Sequence, residues 1–374
     1  MRPLKIVTLI SLVEQGGAQM AILRLTQALR DKGHDVQAWG MYLNRNNTEL
    51  KFDRIILPCK PGKIGYLKLL FKLTQQFRQH KPDAVISFLP LANTAGLLAA
   101  ALAGVPRRIA SQRNRRDFYR PIMRTLDGIL GSTPIYHANV AVSQSTADSF
   151  AGCSQAYRVK MKVVCNGLVP PVVLHDRATL RSQLGIPADA FLLVSTGRLA
   201  TEKNHTLLLN AIAPLEHVHL LIAGDGPLRE TLEAHARQPG LAGRVHLPGP
   251  LPHAEIPSLL TAADGYALPS LHEGMSNALL EAMQMGLPIL ASDLPTQQEV
   301  LQQPGREDSG VLLPPHDTHA WTQAIQKLAQ DATWRSHLAQ LSKQRSGDFS
   351  LQAMADGFEQ TLYATREARQ SHGC

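Results

Sequence analysis

The sequence predicts an α/β protein composed of two doubly wound domains, each built on a parallel sheet. Short apolar segments rich in β-branched residues alternate with helical patterns along the whole chain, as they do in βαβ units. The length of 374 residues suits two domains better than one core. The net charge also changes sign, from +15 over residues 1–170 to −7 over residues 171–374. We therefore expect two domains that differ in surface charge.

The short apolar runs are the expected strands. The first, at 5–11, could be mistaken for a signal peptide, but its apolar part is short and favours a buried parallel strand. Further strands are expected at 36–42, 84–88, 108–111 and 139–143 in the first half, and at 191–196, 218–223, 245–248, 265–268 and 288–291 in the second.

The domain boundary is expected near residue 168. A strand, an Asn-Gly turn at Asn166 and Gly167, and the prolines Pro170 and Pro171 follow one another there, a combination typical of a hinge. We expect one domain over 1–168 and a second over 169–349.

A helix opening between two glutamates is the most informative local pattern. Gly274 allows a sharp turn, and Ser276 or Asn277 can cap a helix that ends near Met285. The backbone N–H groups of Gly274, Met275, Ser276 and Asn277 are then a candidate diphosphate site, because a helix N-terminus attracts anions. Glu273 and Glu281 could accept hydroxyl protons, although each could also be an ordinary helix-associated carboxylate.

Several motifs together resemble one family. They are the two glutamates separated by seven residues, the segments 286–293, 195–204 and 222–226, the Asn166-Gly167 pair and the segment 16–19. The chain resembles the retaining family-4 (group 1) glycosyltransferases of the GT-B fold over almost its whole length. The resemblance implies two Rossmann-like domains that face a cleft, and a C-terminal helix, about 350–374, that crosses back to the first domain.

The resemblance also implies the activity and the residues that carry it. Such an enzyme moves a hexosyl group from a nucleoside-diphosphate sugar, here UDP- or GDP-linked, to a hydroxyl acceptor. Glu273 would contact the donor sugar and Glu281 the ribose, while Arg198 and Lys203 would hold the diphosphate. Gly16 and Gly17 would approach the donor phosphate, and Gly249 and Leu251 would lie beside the base.

Arg113 stands where many relatives have a histidine. An arginine remains protonated near neutrality, so it cannot be a general base. It could orient the donor sugar or bind an acceptor phosphate. His137 and Asp117 remain candidates for the acceptor side.

No metal or additional cofactor is expected. The chain contains no Asp-x-Asp motif, and fixed cations with a helix N-terminus can stabilise a leaving diphosphate without a metal. Gly224 and Gly226 suggest the start of a dinucleotide fingerprint, but Arg229 occupies the third glycine position, so an NAD site is not expected.

The basic first half predicts an anionic partner. Lys60, Lys63, Lys68 and Lys72 accompany apolar residues, among them Ile64, in a pattern typical of a basic amphipathic helix at a membrane surface, although a solvated helix over an ordinary core would look the same. A second cluster, the arginines between 107 and 124, favours an anionic ligand. We expect a polyprenyl-diphosphate-linked or otherwise anionic glycan acceptor and no nucleic acid.

The expected location is the cytoplasm, with peripheral attachment at the inner face of the membrane. The four cysteines show no disulfide or metal spacing, and no apolar run reaches the length of a membrane span. Two alternatives stay open: a GT-B sugar-nucleotide epimerase, and a basic binding module without enzymatic activity.

Overall fold

The computed structural model describes residues 2–14, 16–43, 50–62 and 65–370. Its first sheet contains seven parallel strands in the order β3-β2-β1-β4-β5-β6-β7. These strands are β1 (Lys5–Val13), β2 (Asp35–Leu43), β3 (Arg54–Leu57), β4 (Ala84–Phe88), β5 (Arg107–Gln112), β6 (Ala138–Ala141) and β7 (Met161–Val163).

Helices cover both faces of this sheet. They are α1 (Gly17–Asp31), α2 (Gly65–His80), α3 (Leu97–Leu102, preceded by a π-helical segment, Ala92–Gly96), α4 (Pro121–Gly131), α5 (Gln144–Asp148) and α6 (Gln155–Arg158). Alternate residues of β1 enter two different cores, as expected for a strand buried on both sides. Val7 and Leu9 pack with α2 and α3, whereas Ile6 and Ile10 pack with α1.

The last helix of the chain belongs to this same unit. Phe358 and Leu362 are fully buried in the core that α1 shares with β1. Contacts divide the chain into one compact unit that joins the residues up to Val169 with those from Phe349 onward, and a second unit, Pro170–Asp348.

The chain does not turn at Asn166 and Gly167, so the turn expected there is wrong. Instead, Leu168 forms a parallel bridge with Ser350. A Cβ added at Gly167 would lie 2.6 Å from the Leu351 Cα. Glycine is needed at 167 because two backbones meet.

The second unit contains a six-stranded parallel sheet in the order β10-β9-β8-β11-β12-β13. Its strands are β8 (Phe191–Thr196), β9 (Val218–Ala223), β10 (Val245–Gly249), β11 (Gly265–Leu268), β12 (Ile289–Ser292) and β13 (Val311–Leu313). Its helices are α7 (Arg177–Gln183), α8 (His205–Ile212), α9 (Arg229–Ala236), α10 (Ile256–Thr261), α11 (Asn277–Gln284), α12 (Pro295–Leu301), α13 (Thr318–Gln330) and α14 (Ala332–Ser346), and the final helix of the chain is α15 (Leu351–Gln370).

The predicted fold class, α/β with two Rossmann-like parallel-sheet units, is confirmed. Two edge strands, β3 and β13, were not expected from the sequence. Of the predicted features, Lys63, Ile64, Cys374 and the segment 371–374 lie outside the described residues.

Candidate active site

Three loops at the carboxyl edge of the second sheet are joined by backbone hydrogen bonds. The Gly197 amide donates to the Ala223 carbonyl at 3.0 Å, and the Leu199 amide to the Asp225 carbonyl at 2.9 Å. The Gly224 amide donates to the Gly249 carbonyl at 2.9 Å. The ends of β8, β9 and β10 are therefore held together, and ligands of doubly wound sheets bind at this edge.

The Gly-Asp-Gly segment is explained by this packing. Gly224 has a φ of +154°, and a Cβ there would overlap the Gly197 carbonyl oxygen. A Cβ at Gly226 would lie 2.5 Å from the Leu199 carbonyl oxygen. Both glycines let neighbouring loops approach each other, so neither needs a dinucleotide to account for it.

Lys203 and Glu273 connect the loops that follow β8 and β11. Lys203 ends a 3₁₀ turn, Thr201–Lys203, and its Nζ lies 2.5 Å from Glu273 Oε1. Only 18% of the Lys203 side chain and 13% of the Glu273 side chain are exposed. Ser270 Oγ donates to the same Glu273 oxygen at 2.9 Å. The carboxylate therefore has a fixed position.

Arg198 is the exposed cation of this site. Its side chain is 66% exposed and its Nη2 donates to Glu202 Oε1. Burial alone would raise the pKa of the Glu202 carboxyl, but hydrogen bonds from Arg198 and from backbone outweigh burial and lower it. The carboxylate that accompanies Arg198 is therefore ionised at neutral pH.

The helix after Glu273 begins as its sequence predicts. Ser276 caps α11, because its Oγ accepts the Leu279 amide at 3.3 Å, and Asn277 is the first helical residue. Gly286, with a φ of +74°, follows the helix end. The backbone from Gly274 to Asn277 therefore does form a helix N-terminus.

Glu281 has a partner that the sequence did not suggest. His253 Nε2 lies 3.0 Å from Glu281 Oε1, and 16% of the Glu281 side chain is exposed. His253 begins a short 3₁₀ turn four residues after Gly249 and two after Leu251. No local motif announces this contact, because the two residues are 28 positions apart.

Gly16 and Gly17 lie in the first unit, where Gly16 precedes α1. The Gln19 amide nitrogen donates to the Leu12 carbonyl at 2.9 Å, and only 4% of Gln19 is exposed. A Cβ at Gly16 would lie 2.8 Å from Gln19 Oε1. Gln19 thus ties the glycine loop to the end of β1.

Arg113 is buried at the end of β5. Its Nη2 donates to Asn166 Oδ1, and its guanidinium carbon lies 4.8 Å from the centroid of the Phe88 ring. Burial lowers the pKa of Arg113 to about 10, so the group stays charged at neutral pH. Asp117 pairs with Arg115 at 2.8 Å, and His137 Nδ1 accepts the Arg108 amide.

Within the described part of the chain, no group of three or more His, Cys, Asp or Glu side chains is arranged to hold a metal. Among the predicted residues of the second unit, Arg198, Lys203 and Glu273 lie on the segments that follow β8 and β11, and Glu281 lies within α11. Gly16, Gly17 and Arg113 belong to the first unit.

Two family profiles cover most of the sequence. The profile described as Glycosyltransferase Family 4 matches residues 15–170, and the profile described as Glycosyl transferases group 1 matches residues 176–345. The chain is a group 1, family-4 glycosyltransferase. Glycosyltransferase activity follows from this membership.

Two relatives of this glycosyltransferase match it over nearly full length. The lipopolysaccharide core biosynthesis glycosyltransferase LpsE of Rhizobium meliloti is 27% identical over 94% of this chain and 92% of its own. LpsD of the same organism, also named for lipopolysaccharide core biosynthesis, is 26% identical over 92% of this chain and 94% of its own.

Solved structures show that the glycosyltransferase has the GT-B fold. Anabaena HepE, crystallised with UDP and glucose, superposes with a TM-score of 0.82 at 20% identity, over 96% of this chain and 100% of its own. Sucrose-phosphate synthase of Thermosynechococcus elongatus gives a TM-score of 0.81 at 20% identity, over 98% of this chain and 100% of its own.

Proposed function

We propose that this glycosyltransferase moves a hexosyl group, with retention of configuration and without a metal ion, from a nucleoside-diphosphate sugar to a hydroxyl acceptor. The observation that carries the proposal is the Lys203–Glu273 pair, which sets a cation and a carboxylate 2.5 Å apart beside the N-terminus of α11. A donor sugar offers hydroxyls to the carboxylate, and its diphosphate offers negative charge to the cation.

In this proposal the donor lies along the loops of the second unit. Glu273 accepts hydrogen bonds from hydroxyls of the sugar, and Glu281 accepts those of the ribose. The backbone at Gly249 and Leu251 contacts the base. Gly16 and Gly17 of the first unit approach the donor phosphate.

The rate acceleration comes from stabilising the leaving group. Negative charge collects on the diphosphate as the sugar bond breaks, and Lys203, Arg198 and the amides of 274–277 stabilise that charge more than they stabilise the ground state. Arg113 remains protonated, since its pKa is about 10, and it orients the transferred sugar or an acceptor phosphate. In the proposed mechanism the acceptor proton passes to the leaving diphosphate, and His137 and Asp117 are the alternative acceptors of that proton.

The proposed donor base is uracil, because HepE binds UDP and UDP-glucose; GDP is the second choice. The proposed acceptor is a lipid-linked or anionic glycan intermediate of cell-surface polysaccharide assembly. Support for this acceptor is the naming of LpsE and LpsD for lipopolysaccharide core biosynthesis and the net charge of +15 over residues 1–170. Catalysis would then take place at the cytoplasmic face of a membrane, with the protein peripherally bound.

Thermal stabilisation by ligands tests the donor side. A ligand bound by the native state raises the unfolding temperature, so we expect one of UDP, GDP or ADP to do so, equally with and without EDTA, and NAD not to. Glu281→Gln and Lys203→Ala should lose this shift. The matched control is Glu230→Gln, at an exposed position, which should keep the nucleotide-induced rise in unfolding temperature.

Two results would contradict the proposal. If no nucleotide raises the unfolding temperature at saturating concentration, the proposed donor site is contradicted. If EDTA abolishes the increase, the proposed metal-independent mechanism is contradicted. Once the acceptor is known, NMR of the product anomer decides between retention and inversion.

A further inference from the structure

Arg229 is a cation at the carboxyl edge of the second sheet to which the proposed function gives no role. It is the first residue of α9, the helix that follows β9, and its side chain is 34% exposed. In the sequence it stands where a dinucleotide fingerprint would have its third glycine. Doubly wound sheets bind their ligands at this edge, so a half-buried guanidinium here is a candidate ligand contact.

The guanidinium of Arg229 packs against Gly249, at the end of β10. A Cβ at Gly249 would lie 3.1 Å from Arg229 Nη1 and 3.8 Å from Nη2, so the guanidinium occupies the space that a side chain at 249 would take. Gly249 also has a φ of +93°, a conformation that favours glycine. The pairing of β10 with β9 is irregular between His246 and Gly249, and irregularities of this kind occur next to active sites.

One carboxylate orients this guanidinium. Glu233, one turn later on α9, lies 2.8 Å from Arg229 Nε. The two terminal nitrogens have longer contacts, since Nη2 lies 3.5 Å from the Leu247 carbonyl oxygen and Nη1 lies 3.9 Å from Asp225 Oδ1. A guanidinium carries five N–H donors, and contacts of this length are not strong hydrogen bonds. Within the described part of the chain, the terminal nitrogens therefore retain donors for a ligand beside Gly249.

The position of Arg229 along the sheet edge suits the base of a nucleotide and not its diphosphate. Lys203 follows β8, and the end of β10 lies two strand spacings, roughly 10 Å, from the end of β8. A diphosphate bound at Lys203 does not span that distance, whereas the base at the other end of an extended nucleotide does. The proposed ribose contact, Glu281, meets His253 four residues after Gly249, so the nucleotide extends toward β10.

We propose that Arg229 selects the base of the donor nucleotide by donating hydrogen bonds to a carbonyl oxygen of that base. A guanidinium offers donors and no acceptor. It therefore favours uracil or guanine, whose edges carry carbonyl oxygens, over adenine, whose only exocyclic group is an amine. The inference rests on the proposed function for the nucleotide and for the place of its base at Gly249 and Leu251. It adds the residue that determines specificity, with Glu233 as a positioning residue that acts through Arg229.

Equilibrium binding of UDP, GDP and ADP to the full chain, measured by calorimetry, tests this role. Wild type should bind UDP or GDP about ten-fold or more tightly than ADP, because a hydrogen bond from a charged donor contributes about that factor. Comparison of UDP with GDP then identifies the base. Arg229→Met keeps an apolar side chain but no donor, so it should weaken binding of the preferred nucleotide about ten-fold or more and leave ADP binding nearly unchanged.

The matched control is Arg237→Met. Arg237 lies on the same helix, 3.9 Å from the other oxygen of Glu233, and its side chain is 76% exposed. Its replacement removes an arginine from the same carboxylate, and all three nucleotides should bind as they do to wild type. Arg229→Lys keeps the charge without the planar fork and should recover part of the preference. Glu233→Ala should lower the preference and spare ADP binding, a change that loss of a merely structural ion pair would not produce.

The two proposals fail in different ways. If wild type binds none of the three nucleotides at saturating concentration, the proposed function fails, and selection of the base fails with it. If wild type binds nucleotides but prefers ADP or does not discriminate, only the role of Arg229 is overturned. The same holds if Arg229→Met keeps the wild-type preference.

Binding of ADP is also the internal control for folding of the variants. Retained ADP binding by Arg229→Met, together with a lost preference for UDP or GDP, supports contact with the base. An equal loss of all three nucleotides in Arg229→Met, with none in Arg237→Met, would overturn it, because Arg229 would then act on the shared ribose and diphosphate or on the fold.

Discussion

Lys203 and Glu273 form an ion pair that links the loops after two neighbouring strands, β8 and β11, with 2.5 Å between Nζ and Oε1. Both side chains are more than four-fifths buried, so each compensates the other's desolvation. In the proposed function, a donor diphosphate bound at Lys203 shares that cation with Glu273.

Replacing either partner leaves a charge without its counterion. We expect Lys203→Ala and Glu273→Gln each to lower the free energy of unfolding by about 3 kcal/mol, and the double variant to lose less than the sum, with a coupling of about 1–3 kcal/mol. Urea unfolding of the four proteins measures this. Additive losses would mean that the pair is not formed in solution.

Lys203→Ala should also reduce turnover about 100-fold or more.

His253 positions Glu281. Their 3.0 Å contact fixes the carboxylate that, in the proposed function, receives the ribose hydroxyls. His253→Ala should therefore raise the KM for the donor about ten-fold and change kcat little, because ribose binding is equal in the ground and transition states. His253→Gln, which keeps a donor, should restore most of the affinity.

The sugar of the nucleotide provides the decisive comparison for His253. Against a 2′,3′-dideoxy nucleoside diphosphate, wild type and His253→Ala should bind equally. If the alanine variant is still ten-fold weaker toward this analogue, His253 acts through something other than the ribose.

His205 should make stability depend on pH. It is 3% exposed, and burial lowers its pKa to about 3, below the value of about 6.5 expected in the unfolded chain. Below pH 6.5 the unfolded state binds a proton that the native state does not, so this contribution to stability is complete above pH 6.5 and is lost as the pH falls toward 3.

The expected loss from His205 is about 1.4 kcal/mol at pH 5.5. His205→Gln should flatten the pH dependence between pH 7.5 and 5.5 by that amount, whereas His316→Gln, at an exposed position, should not. Chemical denaturation at several pH values measures both slopes. An unchanged slope in His205→Gln would contradict the burial of a neutral ring.

Gly167 should tolerate no side chain. A Cβ there would lie 2.6 Å from the Leu351 Cα and overlap the Ser350 carbonyl oxygen, and both are backbone atoms that cannot move aside. We expect Gly167→Ala to lower the free energy of unfolding by about 2–3 kcal/mol. At Gly152 a Cβ would meet nothing within 4 Å, so Gly152→Ala should be close to neutral. Equal melting temperatures for the two variants would refute the close approach.

Features encoded locally were predictable from the sequence. The strands of the sheet centres are continuous apolar runs, and α11 carries its own cap, Ser276, and its own stop, Gly286. The missed strands, β3 and β13, are sheet edges of four and three residues. Edge strands have one paired neighbour and need less apolar sequence, so their pattern is weak.

Contacts between distant residues were not predictable. Glu281 was a candidate because of its motif, but its contact with His253 joins α11 to the turn that follows β10 and depends on how the strands are ordered. The orientation of α4 depends likewise on distant residues, because the hydroxyls of Tyr136 and Tyr157 donate hydrogen bonds to the buried Asp127 of this helix. The periodicity of the helix sequence does not include either tyrosine. Sequence patterns identify which residues matter more readily than which residues they touch.

The position of α15 also has a consequence for synthesis. Its residues Met354, Phe358 and Leu362 complete a core whose other members begin at Leu4, so the unit that leaves the ribosome first lacks part of its interior until the residues from 349 onward have emerged. The unit Pro170–Asp348 is continuous and carries its own core, and it can fold while the earlier unit waits. We therefore expect the second unit to complete its fold before the first during translation, and the nascent first sheet to remain accessible to chaperones for longer.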